Sequence, residues 1–121
     1  MGNEEQIRRL EREIRELEKE KEKYKKMKAK LNICTADLKN IKSDLQSSYK
    51  LFTEGYKSDE SSLLKSKQKD LKNRLNEVNS IHNRIIDVFI PESTKQINKK
   101  QEKIKAKRQE RERLKRENNK S

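Results

Sequence analysis

Turn-forming residues are almost missing from this chain, which has two glycines and one proline in 121 residues. Folds that connect many short strands or helices need many turns, so this scarcity excludes β-sandwiches, β-barrels and nucleotide-binding α/β folds. Only 28% of the residues are hydrophobic and 45% are charged. A thick globular core is therefore out of reach, and long helices or disorder remain; the spacing of the apolar residues decides between these two.

Apolar residues in the first half recur on one helix face, with the three- and four-residue steps of a coiled-coil seam. The first four of them are Ile7, Leu10, Ile14 and Leu17. In the lysine-rich segment 23–30, the step from Tyr24 to Met27 is three where four is due. This step predicts a change of phase in the seam. Beyond it the predicted seam consists of Leu31, Cys34, Leu38, Ile41, Leu45 and Phe52.

A turn is predicted near Thr53 to Asp59, because the periodicity stops there and Gly55 can end a helix. Ser58 and Asp59 are candidate N-caps for the helix that follows. The predicted seam resumes with Leu64, Leu71, Leu75, Val78, Ile81, Ile85, Val88 and Phe89. Because proline disfavours helical geometry in the residue before it, Pro91 predicts a kink or short break.

The expected fold class is therefore all-α, a long antiparallel two-helix coiled-coil hairpin. Its expected bounds are a single domain over 1–121, with arm one at 3–52, the turn at 53–59, arm two at 60–116 and frayed termini. Folding about Gly55 would bring Ile7 near Ile104, and Leu38 near Leu71 to Leu75. The apolar run 85–90 covers more than one helix face, so we expect something beyond a second helix to cover it.

Side chains that commonly act as catalytic nucleophiles or bases are scarce, because the chain has one His and one Cys. Cys34 is expected to be a small buried residue, and His82 to be exposed or at the edge of an interface. Neither a three- or four-ligand metal site nor a glycine-rich phosphate loop can be assembled from these residue types. We therefore expect a protein that is not an enzyme and uses no metal or cofactor. No run approaches the roughly 20 apolar residues of a membrane span.

The formal net charge of +12 leaves a second function class open. Lysines in the segment 23–30 and cations in 99–120 could contact nucleic acid or another anionic surface. Lysine spread along a coiled coil is more often a solvated face, and aromatic residues for base stacking make up only 4% of the chain. Nucleic acid is therefore the less favoured partner. A third hypothesis is a homodimer that forms a structural four-helix bundle.

Three stretches carry a family resemblance: residues 47–56 at the expected turn, the pair Leu63 and Leu64, and residues 85–92 with the proline. Together they resemble the small helical partner proteins encoded beside LXG-domain polymorphic toxins of the type VII secretion system in Gram-positive bacteria, over Leu31 to Arg108. The turn departs from relatives with a Trp-x-Gly motif, since Phe52 is followed by Thr53, Glu54 and Gly55 without a Trp.

This resemblance implies a WXG100-like helical hairpin that lies alongside the LXG targeting domain. Such a partner keeps the toxin precursor soluble and helps to present it for export, from the cytoplasm or by co-export with the toxin. The leading hypothesis is then a non-catalytic partner in which the predicted seam residues from Leu31 to Phe89 also form the docking stripe. Two helices alone cannot bury all of them, so a bound partner or self-association is expected.

Overall fold

The computed structural model describes residues 2–55 and 62–120, and these residues form helices without any strand. Helix α1 spans Glu4–Gly55, α2 spans Ser62–Arg84, and α3 spans Ile90–Lys120, with a π-helical segment at Ile85–Phe89 between α2 and α3. The predicted all-α class is confirmed. Glu4 and Glu5 lie in the first turn of α1, where carboxylates interact favourably with the helix dipole.

The helix ends differ from the predicted arms by a few residues. Helix α1 continues three residues beyond the predicted end of arm one, and the Thr53 hydroxyl donates a hydrogen bond to the carbonyl of Tyr49 at 2.7 Å inside its last turns. Gly55 closes the helix without a positive φ. The rest of the predicted turn, with Ser58 and Asp59, lies outside the described residues. At the other end α3 continues to Lys120, four residues beyond the predicted end of arm two.

The chain divides into two compact units. Unit 1 comprises Met1–Ala29 and Pro91–Ser121, and unit 2 comprises Lys30–Ile90.

The two helical segments of unit 1 run antiparallel, as their cross-helix contacts show. Glu11 pairs with Lys115 at 3.8 Å, and Glu20 pairs with Lys100 at 2.8 Å, so the partner number falls as the residue number rises. The midpoints of these pairs lie near residues 60 to 63, not at Gly55. The predicted proximity of Ile7 to Ile104 is therefore wrong by roughly three to four helical turns.

The register within unit 2 follows from one contact. The side-chain Nε2 of Gln68 donates to the backbone carbonyl of Phe52 at 3.1 Å, which places these two residues at the same level of the helix pair. Counting back along α1 and forward along α2 places Leu38 level with His82. The predicted proximity of Leu38 to Leu71 and Leu75 is wrong for the same reason: the pairing is not centred on Gly55.

A row of buried and half-buried side chains runs along α1 with alternating steps of three and four, and we call it the inward row of the helix. The alternation is unbroken from end to end, so the predicted change of phase near Tyr24 and Met27 is wrong. Tyr24 is half-buried in the row and Met27 is exposed. The row continues because lysine and threonine take inward positions where the apolar pattern weakens. Its members are Ile7, Leu10, Ile14, Leu17, Lys21, Tyr24, Lys28, Leu31, Thr35, Leu38, Lys42, Leu45, Tyr49 and Phe52.

The inward row of α2 has the same spacing until the π-helical segment. Its members are Leu64, Gln68, Leu71, Leu75, Val78, His82 and Ile85. The next inward residue is Ile90, five positions after Ile85, where the alternation calls for four. The N–H of Ile90 bonds the carbonyl of Ile85, the i to i−5 bond of a π-helix. One surplus residue is thus absorbed here, directly before Pro91, where the sequence predicts a kink or break.

The inward row resumes within α3 of unit 1 and alternates again. Its members are Ser93, Ile97, Lys100, Ile104, Lys107, Arg111, Leu114 and Asn118. Ile104 is 1% exposed, and Leu114 is also buried, although this arm looks weakly hydrophobic in sequence. Apolar residues are few here, but the large ones, Ile97, Ile104 and Leu114, face inward.

Candidate functional site

Cys34 and His82 are the two side chains best suited to catalysis or metal binding, and the burial of each is the reverse of the prediction. Cys34 is exposed, because Thr35 takes the neighbouring inward position. His82 is only 9% exposed, because it continues the row between Val78 and Ile85. The His82 Nε2 is buried without a hydrogen-bond partner. Among the described residues no three His, Cys, Asp or Glu side chains are grouped to hold a metal ion. In the same residues we find no helix with the length and apolar character to cross a membrane.

Each helix pair has two flanks beside its inward rows, and unit 1 shows how they are arranged. The inward rows alternate steps of three and four, and the two flank positions lie inside each longer step. Flank A is the position directly after the inward residue that begins this step, and flank B is the position directly before the inward residue that ends it. Glu11 follows Leu10, its ion-pair partner Lys115 follows Leu114, and both therefore belong to flank A. Antiparallel helices thus place like flank positions on the same side.

Both flanks of unit 1 are closed by cross-helix ion pairs. On flank A, Glu18 pairs with Arg108 in addition to the Glu11 pair. On flank B, Glu13 accepts from Lys107 at 2.6 Å, and Glu20 accepts from the inward Lys100. The Lys21 ammonium, also inward, donates to the side-chain oxygen of Gln101 at 2.6 Å. The aliphatic stems of these lysines can cover the apolar row while their charged ends reach a partner.

These contacts set the titration of three groups in unit 1. The hydrogen bond from Lys107 lowers the pKa of Glu13, and the hydrogen bond from Lys100 lowers the pKa of Glu20. The same contact with Glu20 raises the pKa of Lys100. A groove along flank B lies between Leu10, Leu17 and Ala106, with the paired Glu13, Glu20 and Lys107 among its walls. Glu13, Glu20 and Lys107 in these walls thus help to hold the two helices together.

Unit 2 leaves its inward row less well covered. Thr35, Lys42, Gln68 and His82 occupy inward positions. Gln68 bonds across to α1, but the Thr35 hydroxyl bonds only within its own helix, to the carbonyl of Leu31 at 2.9 Å. Among the residues described in unit 2, no ion pair joins the two helices. The two flanks of this unit are consequently open.

By this definition flank B of unit 2 holds Cys34, Ile41 and Ser48 on α1, Lys67, Arg74 and Ile81 on α2, and Phe89 directly before Ile90. We call the exposed residues Cys34, Ile41 and Ile81, together with the exposed Val88 of the π-helical segment, the apolar flank. Ile41, Ile81 and Val88 are 46%, 52% and 53% exposed. From the Phe52 to Gln68 register, Ile41 and Ile81 lie within two residues of the same level, about 3 Å along the axis. Ile41 and Ile81 therefore lie side by side on unit 2.

The predicted seam residues fall into three classes of burial. Ile85 is buried. Half-buried inward positions hold Leu31, Leu38, Leu45, Phe52, Leu64, Leu71, Leu75 and Val78. Ile41, Ile81, Val88 and Phe89 are exposed, so their predicted place in the intramolecular seam is wrong. The reason is that two rows with the same spacing share the residues from Leu31 to Leu45. The helix pair uses the row with Thr35 and Lys42, and it leaves Cys34 and Ile41 outside.

Acidic residues beside the apolar flank were missed by sequence reasoning. Asp37 and Asp44 on α1, and Glu77 on α2, are exposed and lie one helical turn from flank residues. Their signal was available in the sequence, since each is three or four residues from Cys34, Ile41 or Ile81.

No protein-family model, curated protein or solved structure matches this chain.

Proposed function

We propose that this chain is a non-catalytic binding partner that accepts a helical segment of another protein on its apolar flank. The observation that carries the proposal is the exposure of Ile41 and Ile81 side by side on unit 2, together with Val88. Fully burying an isoleucine or valine contributes about 1.5–3 kcal/mol, so covering three half-exposed ones stabilises a complex by several kcal/mol. A helix packed into this flank would add its own apolar side chains to that gain.

The partner we propose is the helical LXG targeting domain of a type VII secretion toxin. The support is the resemblance of residues 47–56, 63–64 and 85–92 to the small partner proteins encoded beside such toxins. In this role the chain keeps the toxin precursor soluble in the cytoplasm and helps to present it for export, with or without leaving the cell alongside it.

Binding of nucleic acid is not favoured by the charges of unit 1, although this unit carries 22 Lys and Arg against 13 Asp and Glu. Lys100, Lys107, Arg108 and Lys115 are all engaged in ion pairs across the helix pair. Part of the positive charge thus serves the fold itself.

The test is coexpression with an LXG targeting domain encoded next to the gene for this chain, and a gene neighbourhood without such a domain would contradict the choice of partner. We expect a stoichiometric complex that survives high salt, because an apolar contact is not screened. Ile41→Asp together with Ile81→Asp should abolish it. Ile33→Asp is the matched control, since Ile33 is 62% exposed and lies outside the apolar flank. A complex that tolerates the double variant, or that the control disrupts equally, would contradict the proposal.

A further inference from the structure

We infer that unit 2 has a second packing, reached when both of its helices rotate about their own axes and replace the present inward row by a more apolar one. We call this the closed packing, because it would bury Cys34, Ile41 and Ile81 of the apolar flank between the two helices. The inference goes beyond the proposed function: it concerns the isolated chain, and it names what covers this surface when no partner is bound.

The first argument is that α1 carries a second possible inward row over part of its length. The present row places Thr35 and Lys42 between leucines that belong to both rows. The second row places Cys34 and Ile41 there instead. At about 100° per residue, the centres of the two rows lie about 40° apart around the helix, so a small rotation of α1 exchanges them. The shared leucines are Leu31, Leu38 and Leu45.

Helix α2 has a matching second row at the same level. Val78 and Ile85 belong to both of its rows. His82 lies between them in the present row, and Ile81 takes that place in the second. Ile41 and Ile81 lie on the same flank, within two residues of the same level. Rotation of both helices towards flank B therefore moves the two isoleucines between the helices together.

Each helix can absorb such a rotation at one end of this stretch. In α1 the second row has two successive steps of three from Lys28 to Cys34, which a continuous helix accommodates by local overwinding. Behind Ile85 the helix is already irregular, because the N–H of Ile90 bonds the Ile85 carbonyl and Pro91 has no N–H to donate. Few regular helix hydrogen bonds therefore have to change.

The second argument is that the present row holds polar groups inside and leaves apolar groups outside. The Nε2 of His82 is buried without a hydrogen-bond partner among the residues described. The Thr35 hydroxyl donates its hydrogen bond to the Leu31 carbonyl of its own helix. Ile41 and Ile81 are meanwhile about half exposed. Rotation hydrates the polar groups and buries the isoleucines, and both changes favour the closed packing.

Residues at the other end of unit 2 oppose the rotation. The second row of α2 would continue there through Lys67 and Arg74, where the present row has Gln68 and Leu75. Burying the two cations costs free energy. The exchange is therefore confined to the stretch that carries the two isoleucines. The opposing contributions offset one another in part, so neither packing excludes the other.

The closed packing would regulate access to the apolar flank. A segment of another protein that binds there contacts only the present packing, so its binding shifts the population towards that packing. This consequence rests on the proposed function, whereas the existence of the closed packing does not.

Cys34 is the only cysteine of the chain, so its thiol reports which packing is present. It is exposed in the present packing and would be covered in the closed one. Thr35→Glu together with His82→Glu places charge on the present row only and should favour the closed packing. Asn32→Glu together with Asn83→Glu is the matched control, because both asparagines are exposed and belong to neither row.

The measurement is the rate at which the thiol reacts with an uncharged aromatic disulfide. We expect the first variant to react about tenfold more slowly than the control, because a thiol covered in about nine-tenths of the molecules reacts only from the rest. Circular dichroism establishes that both variants keep the helix content of the unsubstituted chain.

Methyl relaxation dispersion of the unsubstituted chain is a second measurement, since it detects exchange between packings on the microsecond to millisecond timescale. We expect exchange at the methyl groups of Ile41 and Ile81, and none at those of Ile14 and Ile104, which are buried in unit 1. A triple variant with leucine at the polar positions of the present row should abolish the exchange. Its substitutions are Thr35→Leu, Lys42→Leu and His82→Leu.

Either of two results would overturn the inference. One is a thiol that reacts equally fast in the glutamate variant of the present row and in its control. The other is exchange at Ile41 and Ile81 that is no greater than at the isoleucines of unit 1. If the glutamate variant loses helix content, the methyl measurement decides alone. The proposed function fails separately, because it is judged by complex formation with the LXG domain and not by either measurement on the isolated chain.

Discussion

Unit 1 and unit 2 have the same spacing of inward residues, yet they cover it to different extents. Unit 1 buries Leu10, Ile14, Ile104 and Leu114, whereas in the described part of unit 2 only His82 and Ile85 are buried. In unit 1 ion pairs cross both flanks, and inward lysines reach acceptors on the opposite helix. In unit 2, flank B carries the exposed Ile41 and Ile81 beside Lys67 and Arg74, and among the residues described there no ion pair joins the two helices.

The difference shows that two helix pairs can have the same spacing of inward residues and still cover their apolar surface to different extents. An inward row with one residue per helical turn buries little surface by itself. The flank residues therefore determine how much apolar surface remains exposed to water. Charged residues on the flanks keep the sides of a helix pair solvated, so the pair needs no further helix to cover it. Exposed apolar residues on a flank leave surface that another helix could bury, so a partner of the kind we propose would bury the most apolar surface on unit 2.

The largest expected effect compares two isoleucines. Ile104→Ala removes a side chain that is 1% exposed in unit 1 and should lower the free energy of unfolding by about 2–4 kcal/mol. Ile41→Ala, on the apolar flank of unit 2, should change it by less than about 0.5 kcal/mol in the isolated chain. Urea denaturation followed by circular dichroism measures both. Equal losses would show that Ile41 is already covered, by self-association or otherwise, and would remove the contrast between the units.

Much of the fold could be predicted from the sequence, because the all-α class depends on turn scarcity and apolar periodicity. The choice of row in unit 2 could not. The row with Cys34 and Ile41 is the more apolar in sequence, but the helix pair buries the row with Thr35 and Lys42. Continuing the alternating steps of three and four without a break from Ile7 predicts the row with Thr35 and Lys42, provided that lysines are accepted as inward residues. Lysine stems can occupy such positions when their ammonium groups reach the edge.

The next effect tests whether these polar inward residues limit the stability of unit 2. Thr35→Ile together with Lys42→Leu should raise the free energy of unfolding by about 1–2 kcal/mol, because half-buried apolar surface replaces polar groups. Native-state hydrogen exchange should place the gain in amides of unit 2. Lys100→Leu in unit 1 is the comparison, and it should gain less because it also removes the contact with Glu20. A larger gain at Lys100 would reverse the assignment of the weaker unit.

A smaller effect is expected at the π-helical segment of unit 2. Since the inward step from Ile85 to Ile90 is five, deleting Asp87 should restore a step of four and convert the segment to α-helix. Pro91→Ala should leave the bond from the Ile90 N–H to the Ile85 carbonyl in place, because the spacing and not the proline requires it. Stability should change by no more than about 1 kcal/mol on deletion. Crystal structures of the two variants distinguish spacing from proline as the cause.

The candidate site was only partly foreseeable for a related reason. Ile41, Ile81 and Val88 were identified as apolar and periodic, but whether they face the other helix or the solvent depends on pairing across the chain, which local spacing does not contain. The register depends on which residues of the two helices are level, and the Phe52 to Gln68 contact centres this pairing at a higher residue number than Gly55. Glycine is a good local signal for a helix end, and it is a poor one for the centre of a helix pair.

The smallest effect concerns the ion pairs that close unit 1. The pKa values of Glu13 and Glu20 are lowered by Lys107 and Lys100, so the stability from these pairs is present above the ordinary glutamate pKa of about 4.3 and is lost as pH falls through the lowered values. The raised pKa of Lys100 acts at the other extreme, with its contribution lost only as strongly alkaline pH is reached. Between these limits the pairs should be insensitive to pH.

Exchange protection of unit 1 amides should therefore decline modestly between about pH 5 and pH 3, with unit 2 amides as the internal reference. Glu13→Gln together with Glu20→Gln should flatten that decline, and high salt should reduce it, because the paired side chains are partly exposed and screened. A decline of the same size in the double variant would mean that other carboxylates cause the acid sensitivity. The two flank B pairs would then be dispensable, and the closure of unit 1 would rest on its buried apolar residues alone.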